Sequence, residues 1–341
     1  MTIFELATGF LLGAIGGSFL NVIIYRLPRG LNLWNPARSF CPNCKHSLGF
    51  KDLIPLVSYI VQGGKCRYCT AKISFQYFLV EILSAGLGVA IAFKYLVLED
   101  DPLKFVFGLL FVLTLLAIVY IDLRYFVIPD ILNGFLLIVG LSQGIFLAQD
   151  FMKSLVGAWT GLGLLWVIAL TGRVLFKKDA MGHGDLKMSR GIGAMLLAYG
   201  AILSLTLAVF LGAAIGLVLI LRARMKRNVQ ANNTVSNVEQ PGPESIVSLL
   251  KSGAGYALGI DLLGLIFPSL AERWFGALEH YQENENEVIS GANEDLLESA
   301  LAAGVIPFGP CLAAGAAVTL FFEQNLMQFL DLYFAGISPF F

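Results

Sequence analysis

Long apolar stretches recur along the chain and constrain its fold more than any other feature. A membrane-spanning helix needs about 20 consecutive apolar residues, and most of these runs reach that length. Of all residues, 57% are hydrophobic and only 14% are charged, too few charges to cover a soluble domain of this size. We therefore predict an all-α polytopic membrane protein with about eight transmembrane helices. The predicted helices cover residues 3–24, 78–98, 104–121, 131–149, 154–176, 188–199, 201–221 and 305–322.

The basic residues are distributed unevenly between the two sides of this predicted bundle. If the N-terminus lies outside, the inner loops hold 20 of the 23 lysines and arginines. Cytoplasmic loops of membrane proteins carry such an excess, so this orientation is predicted. The first helix is expected to be retained and not cleaved as a signal peptide, because Glu5 replaces a basic flank. The inner loops are then residues 25–78, 122–130, 172–190 and 222–304.

Two carboxylates are predicted at the inner ends of apolar runs. Asp122 ends the run over 104–121, and Asp185 follows two glycines, Gly182 and Gly184, before the run over 188–199. Two crossings separate the acids, so both return to the same membrane face. Acids at such depth are costly and usually functional, and two adjacent carboxylates share a proton. Such a pair can act as general acid and base in amide hydrolysis, and the glycines would let a substrate backbone approach.

Simpler roles for these polar residues stay open at this stage. Asp185 could cap the following helix, and Asp130, after Pro129, is better interpreted as a helix cap. Asp122 could pair with Arg124 at the membrane interface. His183 is interpreted as a polar loop residue. Lys187 could bind a lipid phosphate or an acid of the site.

Two CxxC pairs lie in the predicted inner loop over 25–78. Cys41 and Cys44 are separated from Cys66 and Cys69 by 21 intervening residues. In a cytoplasmic loop this pattern indicates a four-cysteine structural zinc site more than disulfides. A site with four sulfur ligands has no open position, so the metal would fold the loop and take no part in hydrolysis.

Six segments together resemble the bacterial prepilin peptidases, also called type IV leader peptidases, of pilus and type II secretion systems. They occur in the family's order and cover nearly the whole chain except roughly 225–304. They are "GGSFLNVIIYRLP" (16–28), the CxxC loop with "DLIPLVSYI" (52–60), "GKCRYCTAKIS" (64–74), "DLRYFVIPD" (122–130), "GHGDLK" (182–187) and "IPFGPCLAAGA" (306–316).

The resemblance implies an intramembrane aspartic peptidase of the GxGD type. Such enzymes cut the basic leader from prepilins and pseudopilins at the cytoplasmic face, and many then methylate the new N-terminus with S-adenosylmethionine. The family's catalytic aspartates map onto Asp122 and Asp185. Its zinc ligands map onto the four loop cysteines, whose presence favours the bifunctional enzyme over relatives that only cleave.

The S-adenosylmethionine site cannot be located from the residues, because no βαβ unit with a glycine-rich turn is present. Glu81 is a candidate contact, and its simpler interpretation is an ion pair at the helix end or with the zinc loop. An ion-coupled transporter is the alternative function, since intramembrane acids beside glycine-broken helices also bind coupling ions. A structural scaffold that docks a partner through its zinc loop would leave the acid pair unexplained.

The chain is therefore expected in the bacterial inner membrane, with its active site facing the cytoplasm. Expected partners are prepilin or pseudopilin substrates and membrane lipid, and no nucleic acid; the oligomeric state stays open. Five domains are predicted. They are a first transmembrane helix (1–24), a cytoplasmic four-cysteine zinc-binding loop domain (25–78), a transmembrane core with both aspartates (79–224), a cytoplasmic or interfacial insert (225–304), and a final helix with the C-terminal tail (305–341).

Overall fold

The computed structural model describes residues 2–33, 38–147, 150–177, 181–227, 246–262 and 307–322, and within them the regular structure is helical apart from isolated β-bridges. A π-helical stretch, Phe93–Leu98, continues the third helix. The helices are α1 (Thr2–Arg26), α2 (Val57–Val61), α3 (Phe75–Ala92), α4 (Pro102–Tyr125), α5 (Asp130–Phe146), α6 (Phe151–Phe176), α7 (His183–Arg227), α8 (Ile246–Ala257) and α9 (Gly309–Phe322).

Five of the described helices are long and apolar enough to cross a membrane: α1, α3, α4, α6 and α7. α5 and α9 are shorter apolar helices. α7 runs for 45 residues but breaks at Leu197, whose φ of 60° and ψ of 179° are not helical. This break lies directly before the turn that the sequence predicts between residues 188–199 and 201–221. The predicted all-α membrane fold is confirmed.

Residue contacts divide the chain into two compact units, the first formed by Met1–Ile121 and the second beginning at Asp122. In the first unit, α1 packs closely on α3 through glycines spaced four residues apart. A Cβ atom added at Gly9 would lie 2.5 Å from Cβ of Ala92, and one at Gly17 would lie 2.7 Å from Cβ of Ser84. Small residues at this spacing let two membrane helices approach backbone to backbone.

In the second unit, α7 packs between α5 and α6, again through small residues. A Cβ atom at Gly140 of α5 would lie 2.7 Å from Cβ of Ala194 of α7. Next to this contact, the side-chain amide of Gln143 donates to the carbonyl of Met195 at 3.0 Å. A buried polar group in an apolar bundle needs such a partner, so Gln143 joins α5 to α7 just before the break at Leu197.

After α7, the described part of the predicted insert is residues 246–262, in which α8 packs against α6. The indole Nε1 of Trp166 donates to the carbonyl of Leu249 at 3.2 Å. Gly253 provides the room, since a Cβ atom there would lie 2.7 Å from Cε2 of the same indole. Further on, Leu262 packs against Leu137 of α5 and its neighbours. The remaining insert residues, 228–245 and 263–304, lie outside the described residues.

Candidate active site and metal centre

Asp122 lies in the last turn of α4, and its side chain is buried. The residue is only 5% exposed. The backbone N–H of Gly309, the first residue of α9, donates to Oδ2 of Asp122 at 3.1 Å. A Cβ atom at Gly309 would lie 2.5 Å from this oxygen. Glycine at this position therefore allows the backbone of α9 to reach the carboxylate.

α4 ends at Tyr125, three residues after Asp122. The N–H of Phe126 donates to the carbonyl of Asp122 at 2.9 Å, and Phe126 itself adopts a φ of 56°. A bulky residue in the left-handed region is a backbone outlier of the kind that often lies at a functional site. Pro129 then precedes the first residue of α5 and forms its N-cap. The segment "DLRYFVIPD" thus contains the end of one helix, a short loop and the start of the next helix.

Asp185 lies in the first turn of α7, and its carboxylate lies close to that of Asp122. The two are near enough for their charges to interact. Oδ1 of Asp185 is buried and has no hydrogen-bond partner among the residues that the structure describes. The structure thus brings together the two acids that the sequence singles out, and it leaves one carboxylate oxygen available to a further group.

Asp130 and Lys187 form an ion pair beside these acids. Nζ of Lys187 lies 2.7 Å from each carboxylate oxygen of Asp130. Asp130 is the first helical residue of α5, and the N-cap is Pro129 without a side-chain hydrogen bond. The interpretation of Asp130 as a helix cap is therefore wrong. Of the partners left open for Lys187, the structure shows an acid at the edge of the site.

The two glycines of the "GHGD" segment differ in their surroundings. A Cβ atom at Gly184 would lie 3.0 Å from Cβ of Ile128, so the glycine makes room for that side chain. A Cβ atom at Gly182 would meet only Oδ2 of Asp185, at 3.4 Å. The carbonyl of Gly184 accepts a hydrogen bond from the side chain of Asn133 at 3.3 Å. Clearance for a substrate at both glycines stays a prediction.

His183 is predicted as a polar loop residue, but it is the first residue of α7 and its side chain contacts the insert. Its Nδ1 lies 3.1 Å from the hydroxyl of Tyr256, a residue of α8 that is 2% exposed. The two rings meet edge to face, with centroids 5.9 Å apart. The segment that carries Asp185 is therefore in contact with the insert.

The four loop cysteines lie together as the sequence predicts. All four sulfur atoms lie within 4.8 Å of one another, and Sγ of Cys41 lies 3.9 Å from Sγ of Cys69. Zinc–sulfur bonds of about 2.3 Å in a tetrahedron separate the sulfurs by roughly 3.8 Å. The four thiols, Cys41, Cys44, Cys66 and Cys69, therefore fit a tetrahedral zinc ion.

Each CxxC pair forms the same small turn. The N–H of Cys41 donates to His46 O at 3.0 Å, and the N–H of Cys66 donates to Ala71 O at 2.8 Å. The residue after each pair takes the left-handed conformation: Lys45 has a φ of 57° and Thr70 a φ of 58°. Two equivalent knuckles thus direct their thiols to one point, which favours a shared metal ion.

One thiol of the cluster favours the form that binds metal. The side-chain amide of Asn43 donates to Sγ of Cys69 at 3.6 Å and is the main reason that the pKa of Cys69 is lowered to about 6. The thiolate is the ligand of zinc. Asn43 lies inside the first CxxC pair, so one knuckle supports a ligand of the other.

Glu81 lies on α3 and holds the cysteine loop. The N–H of Leu56, which has a φ of 64° before α2, donates to Oε2 of Glu81 at 2.8 Å. Ser18 of α1 lies near enough to interact with this carboxylate. The simpler interpretation predicts an ion pair, whereas the contact that the structure describes between Glu81 and the loop is a hydrogen bond from a neutral backbone amide. A role for Glu81 in binding a cofactor stays a prediction.

Three residues near the acids have no role in the sequence analysis. Gly309 lies 187 residues from Asp122 along the chain, so no local pattern pairs them. Asn133 is a polar residue inside an apolar run, a pattern that could have indicated a buried hydrogen bond. Tyr256 lies in the insert, where the sequence shows no periodic link to "GHGD".

Two family models match the chain. The first, described as the bacterial peptidase A24 N-terminal domain, matches residues 11–95. The second, described as the type IV leader peptidase family, matches residues 109–217. The first match contains all four loop cysteines, and the second contains both aspartates.

Curated proteins named prepilin leader peptidase/N-methyltransferase are similar to the chain. The protein from Dichelobacter nodosus is 33% identical over 230 residues, which cover 59% of this chain and 77% of the relative. The one from Klebsiella pneumoniae is 36% identical over 194 residues, covering 55% and 83%, respectively. The one from Aeromonas hydrophila is 34% identical over 238 residues, covering 62% and 80%.

A search of solved structures found no match. The relatives are nevertheless matched over more than two thirds of their length at above 30% identity. The chain therefore belongs to the type IV leader peptidase family.

Proposed function

We propose that the chain is a prepilin leader peptidase whose Asp122 and Asp185 form the catalytic pair. The family and the names of the relatives support cleavage of prepilin leader peptides and N-methylation. Its apolar helices and its family indicate a multi-pass protein of the inner membrane. The observation that carries the catalytic assignment is that the charges of Asp122, which is buried on α4, and of Asp185, which is half-buried on α7, are close enough to interact.

Such a pair can hydrolyse an amide without forming a covalent bond between the enzyme and the substrate. One carboxylate takes a proton from water, which then attacks the scissile carbonyl carbon, while the other protonates the carbonyl oxygen. Collapse of the tetrahedral intermediate expels the amine, which takes up a proton from the pair. The amide of Gly309 would hold Asp122 in place throughout.

The membrane geometry of the substrate suits this position. A prepilin has an apolar N-terminal helix and a basic leader, so the bond between them lies at the inner surface of the membrane. The excess of basic residues in the predicted inner loops supports a cytoplasmic position for both aspartates. A peptide that unwinds there presents an extended backbone to the pair.

The four-cysteine cluster would hold a structural zinc ion. Cys41, Cys44, Cys66 and Cys69 supply four thiolates and leave no open coordination position. Bound zinc would stabilise the loop between α1 and α3. Glu81 ties the same loop to α3 through the backbone of Leu56.

N-methylation needs a methyl donor, for which we propose S-adenosylmethionine. The relatives' names support the transfer, and the free amine released by cleavage is its nucleophile. The loop and the adjoining ends of α1 and α3 are the proposed region for the donor. Glu81 stays the candidate contact there.

An ion-coupled transporter would use the same intramembrane acids, but the comparisons do not support it. Both family models describe peptidases. The paired carboxylates are explained by hydrolysis, in which one acts as the base and the other as the acid.

The test is to mix the purified protein in lipid with a prepilin and S-adenosylmethionine and to measure the product mass. We expect loss of the leader together with the gain of one methyl group. Loss of the leader alone would contradict the methyltransferase half of the proposal. An unchanged prepilin mass with several prepilins would contradict the whole proposal.

A further inference from the structure

We propose that the insert helix α8 positions the segment that carries Asp185, through the contact between Tyr256 and His183. This inference rests on the proposed catalytic role of Asp185. It assigns a role in the reaction to the insert, whose purpose the sequence leaves open.

The side chain of Tyr256 touches the segment on both sides of Asp185. Its hydroxyl lies 3.1 Å from Nδ1 of His183, two residues before the aspartate. Its ring lies under the Nζ atom of Lys187, two residues after the aspartate, with 5.0 Å to the centroid. One buried tyrosine thus contacts the residue two positions before Asp185 and the residue two positions after it.

A second contact fixes the end of α8 to α7. The guanidinium of Arg190 binds Asp261 with both nitrogens, at 3.0 and 2.6 Å, and its Nη1 also donates to the carbonyl of Tyr256. The Arg190 and Asp261 side chains are 3% and 8% exposed. A buried bidentate pair has a defined geometry, so the backbone at Tyr256 is fixed relative to α7.

The other end of α8 is fixed to α6 by Trp166. Its indole donates to Leu249 O at 3.2 Å and lies against Gly253. Tyr256 therefore lies between two fixed points, one on α6 and one on α7. A rigid support of this kind is what holds a catalytic group in its productive geometry.

The need for such a support follows from the local sequence. His183 is flanked by Gly182 and Gly184, which restrict the backbone least of all residues. The carbonyl of Gly184 is held by Asn133, and Lys187 is held by Asp130. The contact with Tyr256 adds a restraint at His183, between the two glycines. A displacement of about 1 Å at a reacting group can cost roughly 100-fold in rate.

The test compares leader cleavage by the full-length protein in lipid with that of Tyr256→Phe, which removes one oxygen and keeps the ring. We expect kcat to fall about tenfold with KM changed less than about twofold, because positioning affects the reaction step more than binding. The matched control is Tyr199→Phe, the same substitution at a residue that is 46% exposed, with cleavage unchanged.

A double-mutant cycle tests the pair itself. His183→Leu should lower kcat by a similar factor, and adding Tyr256→Phe should lower it no further, because the two residues act through one contact. Methylation of a leaderless pilin peptide should stay at the wild-type rate in all these variants. A loss of both activities together would instead mean general damage, and would contradict the proposal.

The variant Asp185→Asn tests the proposed catalytic role of Asp185 independently of the positioning role of Tyr256. If Asp185→Asn cleaves at the wild-type rate, the catalytic assignment fails whatever Tyr256 does. If Asp185→Asn is inactive while Tyr256→Phe keeps kcat within twofold of wild type, the assignment stands and the positioning role is wrong. A double variant whose loss equals the product of the two single losses would also contradict it.

Discussion

The carboxylate of Asp122 depends on a residue with no side chain. The N–H of Gly309 donates to Oδ2 at 3.1 Å, and the missing Cβ leaves room for that oxygen. A hydrogen bond from a backbone amide to a carboxylate is strong and fixes its orientation. At the residue scale, the start of α9 is therefore part of the candidate site.

Gly309→Ala should impair cleavage strongly. The new Cβ would lie 2.5 Å from Oδ2 of Asp122, so the carboxylate or α9 must shift. We expect a loss in kcat of roughly 100-fold. Gly163→Ala on α6 is the control, because a Cβ atom there meets nothing within 4 Å. Equal rates for both alanine variants, measured on one prepilin, would mean that the contact does not orient Asp122.

At the scale of elements, the glycine face of α1 holds the first unit together. Gly9, Gly13 and Gly17 face α3 at distances that exclude a side chain. Lipid offers no hydrophobic gain for helix association, so close backbone contact supplies much of the attraction. The same packing also bears on the cysteine loop, because α1 precedes this loop along the chain and α3 follows it.

Gly9→Ala should destabilise the first unit. The added methyl group would lie 2.5 Å from Cβ of Ala92, and overpacking of this kind costs about 1–3 kcal/mol. Thermal unfolding in detergent should show a lower Tm. The control is Gly86→Ala on α3, where a Cβ meets nothing within 4 Å and helix propensity favours alanine. A Tm for Gly9→Ala at or above that control would contradict the packing account.

The proposed zinc ion should be lost when any one of the four cysteines is removed. Cys69→Ser leaves three thiols and a weaker oxygen ligand, so we expect the bound zinc, measured by elemental analysis, to fall from about one per chain to near zero. Cys311→Ser is the control, since Cys311 lies on α9 outside the four-cysteine cluster. Zinc retained in full by Cys69→Ser would refute a four-thiolate site.

At the scale of the whole molecule, much of the architecture can be predicted from hydropathy, from the order of the membrane crossings and from the spacing of the cysteines. The apolar runs predict the helices, and two intervening crossings predict that Asp122 and Asp185 lie at the same membrane face. The CxxC spacing predicts the cluster of four sulfurs. Each of these follows from a periodic or counted pattern along the chain.

Contacts between residues far apart along the chain could not be predicted in this way. The pairing of Gly309 with Asp122 spans 187 residues, and that of Tyr256 with His183 spans 73. The positive φ of Phe126 leaves no mark in the sequence, because a bulky residue adopts it only when tertiary packing compensates for the strain. The sequence also does not predict the ion pair of Asp130, because its partner, Lys187, lies on another helix.

The orientation of the whole chain is tested by proteolysis. The loop over 25–78 carries eight lysines and arginines, and we predict that it lies on the cytoplasmic side. Trypsin added to intact spheroplasts should leave this loop uncut, whereas trypsin added to inside-out membrane vesicles should cut it. The reverse pattern of fragments by mass spectrometry would contradict the predicted topology.

The most direct measurement of the central claim is leader cleavage by Asp122→Asn and Asp185→Asn, with methylation of a leaderless peptide measured in parallel. Each substitution keeps the shape of the side chain and removes its ability to exchange a proton. The account predicts that each variant loses cleavage by at least about 100-fold while both still transfer the methyl group. Cleavage at the wild-type rate by either variant would contradict the assignment of Asp122 and Asp185 as the catalytic pair.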